Sequence, residues 1–173
     1  ELLLHCAETD DRGCRFFTDP EAGALDGFED AAPDPRARVA VSMAPGLHYA
    51  FGGDGRGLAD NVPTLVMGGD ADQDMPYEAE IRPVFDSLGD DGALLTLTDA
   101  GHFVFSDLCF LGMPFPECEG AAEGWMEADR GHQISRTVAT AWVRARWLGE
   151  TSEEQFLSTD YVGAGEDATW EVH

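Results

Sequence analysis

The chain has 173 residues, 43% of them hydrophobic, enough for one globular domain with a real core and too apolar for a disordered polymer. Its 34 acidic and 10 basic residues give a formal charge of −24, and every basic residue is an arginine. Such a charge repels nucleic acid and anionic membranes, and no apolar run approaches the length of a membrane span, so neither partner is expected.

In chain order, Leu2-Leu3-Leu4 reads as the end of a helix begun upstream of Glu1. Residues 15–36 read as loop, punctuated by Pro20, Gly23, Gly27, Pro33 and Pro35. Val39-Ala40-Val41-Ser42-Met43 is a short apolar run that suits a strand, closed by Ala44-Pro45-Gly46. The segment leaving it carries His48, Tyr49 and Phe51, candidates for the wall of a substrate pocket or for ordinary loop packing. Gly52-Gly53-Asp54-Gly55-Arg56-Gly57 lacks the G-K-S/T ending of a phosphate loop and reads as a connector.

Pro63-Thr64-Leu65-Val66-Met67 is a second strand, ended by Gly68-Gly69 and followed by the acidic loop Asp70 to Pro76. That loop opens like an EF-hand, but the template wants Gly where Met75 stands and Glu where Ile81 stands, so no metal is expected. Ile81, Val84, Phe85 and Leu88 recur at helical spacing until Gly89, with Pro83 predicting a late start or a kink. Leu94-Leu95-Thr96-Leu97 is a third strand, and Asp99-Ala100-Gly101-His102-Phe103 follows it directly. A strand, a helical crossover and a parallel strand place the acidic loop and the histidine loop at the same carboxyl edge of a sheet, where open α/β sheets bind ligands.

Residues 105–122, rich in Gly, Pro, Phe and Cys, read as a long loop. Ile134, Val138, Ala141, Trp142, Ala145 and Leu148 form one helical stripe, stopped by Gly149. The sequence thus divides into an α/β domain at 1–150 and an acidic tail at 151–173, with Tyr161 and Trp170 as candidate anchors for that tail. The four cysteines fall as two close pairs, Cys6/Cys14 and Cys109/Cys118, neither a C-x-x-C motif. An even count at short spacing points to disulfides and an oxidising compartment, hence a secreted or periplasmic protein, lipoprotein anchoring being one version of that. Of three connectivities the local pairs are favoured, and four reduced thiols are the alternative.

Two motifs carry a resemblance. Gly69-Asp70-Ala71-Asp72 with Pro76 resembles the G-x-x-D-x-x-x-P acid loop of α/β-hydrolases, and Ala100-Gly101-His102-Phe103-Val104-Phe105-Ser106-Asp107 resembles the catalytic-histidine loop of dienelactone-hydrolase-like and platelet-activating-factor-acetylhydrolase-like esterases. The likeness spans roughly residues 38–148. It implies that the domain at 1–150 is partial, the C-terminal part of an α/β-hydrolase fold: parallel strands, crossover helices, a final C-terminal helix, and the nucleophile-bearing half absent. It implies Asp72 as the acid and His102 as the general base of a Ser-His-Asp triad, with no cofactor and a small or lipid-like carboxylic ester as substrate. Asp107 would cap its own turn or help orient His102. The departure is the nucleophile: no G-x-S-x-G occurs, and Ser42 lies within a strand without flanking glycines. The serine and the rest of the fold are therefore expected upstream of Glu1. The alternative is a non-catalytic α/β-hydrolase-like module that binds or supports.

Overall fold

The computed structural model describes residues 34–46, 62–162 and 166–173. Four strands make one sheet in the order β1 (Ala40–Met43), β2 (Thr64–Gly69), β3 (Gly92–Leu97) and β4 (Ala168–Val172). β1, β2 and β3 are parallel, and β4 runs antiparallel to β3. The class is α/β, as expected.

The apolar runs read as strands because both faces are buried. Leu65, Met67, Ala93, Leu95 and Leu97 point to one face, where they meet Ile134, Val138, Ala141 and Trp142 of the long helix α2 (Ala128–Leu148). Val66 and Leu94 point to the other, against Ile81, Val84 and Phe85. Those three belong to the crossover, which begins as a π-helical turn, Tyr77–Ile81, and passes into the short helix α1 (Arg82–Asp86). Pro83 stands at the start of α1, the position where a missing N–H costs no helical bond. The predicted late start is thus observed, with the preceding turn widened to π geometry.

Two expectations are revised. Gly68 and Gly69 do not end β2 but carry its pairing onward, opposite Thr96 and Leu97. A side chain at either would collide: a Cβ at Gly68 would lie 2.6 Å from Ile81 Cγ2, and one at Gly69 2.6 Å from the Ala100 carbonyl carbon. The glycines are there for close approach, not for chain reversal.

The 151–173 segment is not a surface tail along its length. A 3₁₀ stretch (Thr151–Phe156) and a short helix α3 (Thr159–Val162) lead into β4, and Trp170 is buried against Trp142 in the main core, while Tyr161 stays exposed. Ala168, Trp170 and Val172 alternate with polar Thr169 and Glu171, a pattern too short to stand out from an acidic background. On the other face Arg82 Nη1 donates to both carboxylate oxygens of Glu171, at 2.9 and 3.0 Å, tying β4 to α1. His173 stacks on Phe85 at 4.2 Å and bonds its carbonyl through Nε2. In the predicted α2 stripe, Leu148 is exposed at the last residue of the helix, just before Gly149 (φ +71°) ends it.

Candidate active site

β2 and β3 are parallel neighbours, so the loops that leave them emerge side by side. The two loops are stitched together by backbone. Asp70 N–H donates to Leu97 O and Ala71 N–H to Ala100 O, at 3.1 and 3.2 Å. Asp70 Oδ1 accepts the Asp99 N–H at 2.7 Å, and Asp99 takes a left-handed φ of +54°, which a short acidic side chain tolerates. Met126 N–H closes the turn on Asp99 O at 2.7 Å.

Asp72 is the buried member of the acidic loop; Asp70 and Asp74 are exposed. Its Oδ1 accepts the N–H groups of Asp74 and Met75 at 2.9 and 2.7 Å. Its Oδ2 lies 2.9 Å from His102 Nδ1. A carboxylate with no exposed side-chain surface is costly to bury unless each oxygen is bonded, and here each is. The histidine is a quarter exposed, and its Nε2 has no hydrogen-bond partner among the described residues. An imidazole oriented through Nδ1 by a carboxylate, with Nε2 uncommitted, is the arrangement that takes a proton at Nε2.

The other described histidines are occupied structurally. His132 on α2 places Nε2 3.0 Å from Ser106 O, and His173 is bonded to Phe85 as described. Asp107 is exposed and lies 3.9 Å from His132, so it does not orient His102. Ser106 donates its hydroxyl to Phe103 O at 3.0 Å, and among the described residues no serine hydroxyl bonds His102. Ser42 stays within β1.

Two further contacts at the site have no signature in the sequence. Tyr77 Oη and Thr96 Oγ1 are 2.7 Å apart, joining the acidic loop's helix to the histidine strand. Glu117 reaches back to the histidine turn, where its Oε2 accepts the Phe103 N–H at 2.8 Å. Burial, aided by the nearby charges of Asp72 and Asp74, holds the Glu117 carboxyl above the usual glutamate range, while the Phe103 amide and His102 pull it down. The only advance sign of Glu117 was its place beside Cys118.

Cys109 and Cys118 form a disulfide, as expected. Cys6 and Cys14 lie outside the described residues, as do His48 and Tyr49. Among the described residues no group of three or more His, Cys, Asp or Glu side chains is arranged to hold a metal ion, and no helix is long and apolar enough to cross a membrane. No protein-family model matches the chain, and a search of curated proteins returns no match.

Proposed function

We propose that this chain supplies the acid and the base of a Ser-His-Asp triad in a carboxylic ester hydrolase of α/β-hydrolase type. The observation that carries the reading is the 2.9 Å contact between buried Asp72 and His102 Nδ1, made across adjacent strand exits. A serine hydroxyl is a poor nucleophile until a base removes its proton. His102 Nε2 takes that proton and later delivers it to the leaving alkoxide. Asp72 holds the tautomer and stabilises the imidazolium. The serine attacks the ester carbonyl, the alcohol leaves, and water hydrolyses the acyl-enzyme.

The nucleophile is assigned to sequence outside Glu1–His173, because the chain contains no G-x-S-x-G elbow and no described serine reaches His102. The Cys109–Cys118 disulfide supports a secreted or periplasmic setting. A small or lipid-like ester is the substrate class the resemblance implies. The absent elbow also favours a second reading, a non-catalytic module that keeps the dyad but binds rather than hydrolyses.

The test joins turnover to labelling. The protein produced with its upstream sequence is assayed on p-nitrophenyl acetate and treated with a fluorophosphonate probe. Ester turnover lost in His102→Ala, with one serine labelled, supports the hydrolase. A folded protein with neither turnover nor a labelled serine supports the binding module. Residues Glu1–His173 alone should show no turnover, and turnover there that depends on His102 would move the nucleophile into this chain.

A further inference from the structure

We infer that Glu117, delivered by the disulfide-closed loop Cys109–Cys118, is a positioning residue that holds the His102 turn against Asp72. The inference rests on the reading of His102 as the general base. It starts from an unmet need. His102–Phe105 is a single 3₁₀ turn, and the first amides of such a turn have no partner within it. A Ser, Thr, Asp or Asn at the residue before would ordinarily accept one of them. Here that residue is Gly101, which has no side chain to offer.

Glu117 takes over the capping role from elsewhere in the chain. Its Oε2 accepts the N–H of Phe103, the residue next to His102, at 2.8 Å. Gly101 and Glu117 explain each other, since a Cβ at Gly101 would lie 3.0 Å from Glu117 Cβ and closer still to its carboxyl group. The glycine before the histidine is therefore the space through which the glutamate enters.

Two neighbours fix where Glu117 stands. Phe115 stacks on Phe103 with ring centroids 4.1 Å apart, on the very residue whose amide is capped. Cys118, adjacent to Glu117, is bonded to Cys109 across nine residues. Segment 115–118 thus grips the histidine turn by a ring stack and a charge-assisted hydrogen bond, and the disulfide anchors the grip. The Glu117 carboxyl is half-buried and lies within electrostatic reach of Asp72, Asp74 and His102. A surface glutamate with no task would turn to water and avoid two like charges. When His102 gains a proton, the new positive charge is attracted to both Asp72 and Glu117.

The experiment follows the proton between His102 Nδ1 and Asp72 by ¹H NMR in the full chain, which requires no turnover. Glu117→Gln keeps an acceptor oxygen for Phe103, Glu117→Asp is one methylene too short, and Glu117→Ala has none. The expected result is a resonance retained in Glu117→Gln and lost to faster solvent exchange, by about tenfold or more, in Glu117→Asp and Glu117→Ala. Thermal melts identify the folded variants. If Glu117→Ala does not fold, the comparison of Gln with Asp decides. In turnover by the complete enzyme, Glu117→Asp lowers kcat by about 10- to 100-fold with KM unchanged, the size of loss expected for a small misplacement of the base. Folded Asp and Ala variants with the wild-type resonance and exchange rate would overturn the inference. A wild-type chain lacking the resonance would overturn the dyad itself, and the inference with it. A retained resonance without ester turnover would leave Glu117 in its role and refute only the hydrolase.

Discussion

The Ala100 carbonyl packs on the bare face of Gly69, so the end of the acid strand and the start of the histidine loop touch without an intervening side chain. This contact sets the separation between the two loops, and Ala71 N–H extends it by bonding the same carbonyl at 3.2 Å. Gly69→Ala would place a methyl carbon 2.6 Å from the Ala100 carbonyl carbon and 3.1 Å from Ala100 Cβ. The obstacle is mostly backbone, which cannot swing aside as a side-chain end can. The expected loss is about 1–3 kcal/mol, with the dyad pushed apart. Urea unfolding measures it, and a stability equal to the wild type would contradict the packing described.

Asp72→Asn should leave the fold in place and, under the proposed hydrolase function, remove most of the ester turnover of the complete protein. The amide oxygen still accepts the Asp74 and Met75 amides, which preserves the turn. The amide nitrogen then faces His102 Nδ1 and favours the wrong tautomer. In serine proteases the equivalent change costs about 10⁴ in kcat. Ester turnover with near-UV circular dichroism as the fold control checks it; a folded variant within tenfold of wild type would refute the proposed role of Asp72 as the triad acid.

Glu117 also predicts a pH dependence of stability. Its carboxyl is held above the usual glutamate range, chiefly by burial. The folded protein therefore binds this proton more tightly than the unfolded chain. The stability it contributes is complete below the ordinary glutamate range and is lost as pH rises through the raised folded value. Glu117→Gln carries no such proton. Subtracting the variant's stability from that of the wild type, at points between about pH 4 and pH 7, should give a difference that declines with pH. A flat difference would show that Glu117 is not perturbed.

Replacing Cys109 and Cys118 by serine should cost about 2–3 kcal/mol, from the entropy returned to the unfolded chain by opening so short a loop. The same variant should weaken the histidine turn, because Glu117 loses its anchor. Unreduced peptide mapping identifies the Cys109–Cys118 bridge and tests whether Cys6 pairs with Cys14. A crossed pairing would refute the local-pair reading drawn from spacing.

Periodicity made β1, β2, β3 and α2 legible because each depends on neighbours close in sequence, whereas the dyad was legible only through the resemblance of its two loops to those of α/β-hydrolases. Leu94 to Leu97 is apolar on both faces, and a glycine, a histidine and two carboxylates stand at fixed offsets from strand ends. The rest depends on partners that local pattern does not carry. β4 forms because Trp170 finds Trp142 and Glu171 finds Arg82, and neither partner can be seen from within Ala168–Val172. Glu117 was hidden for the same reason: its partner is a backbone amide, which leaves no mark on the sequence. Gly68 and Gly69 misled because a glycine needed for close approach looks the same as one needed for a turn.

The late strand has a consequence for the order in which the molecule assembles. Asp72 and His102 are 30 residues apart and need only the β2–α1–β3 unit to meet, whereas Arg82 and Glu171 close a span of 89. On loop-closure entropy alone the longer span costs about 1 kcal/mol more. The dyad's scaffold can therefore form while the far edge of β3 still waits for its partner. During that interval β3 presents open N–H and C=O groups to any extended segment within reach. The segment best matched to it is Ala168–Val172, whether from the same chain or from a second copy. At high concentration during refolding, exchange of this strand between two chains is the dimer to expect, with both dyads intact.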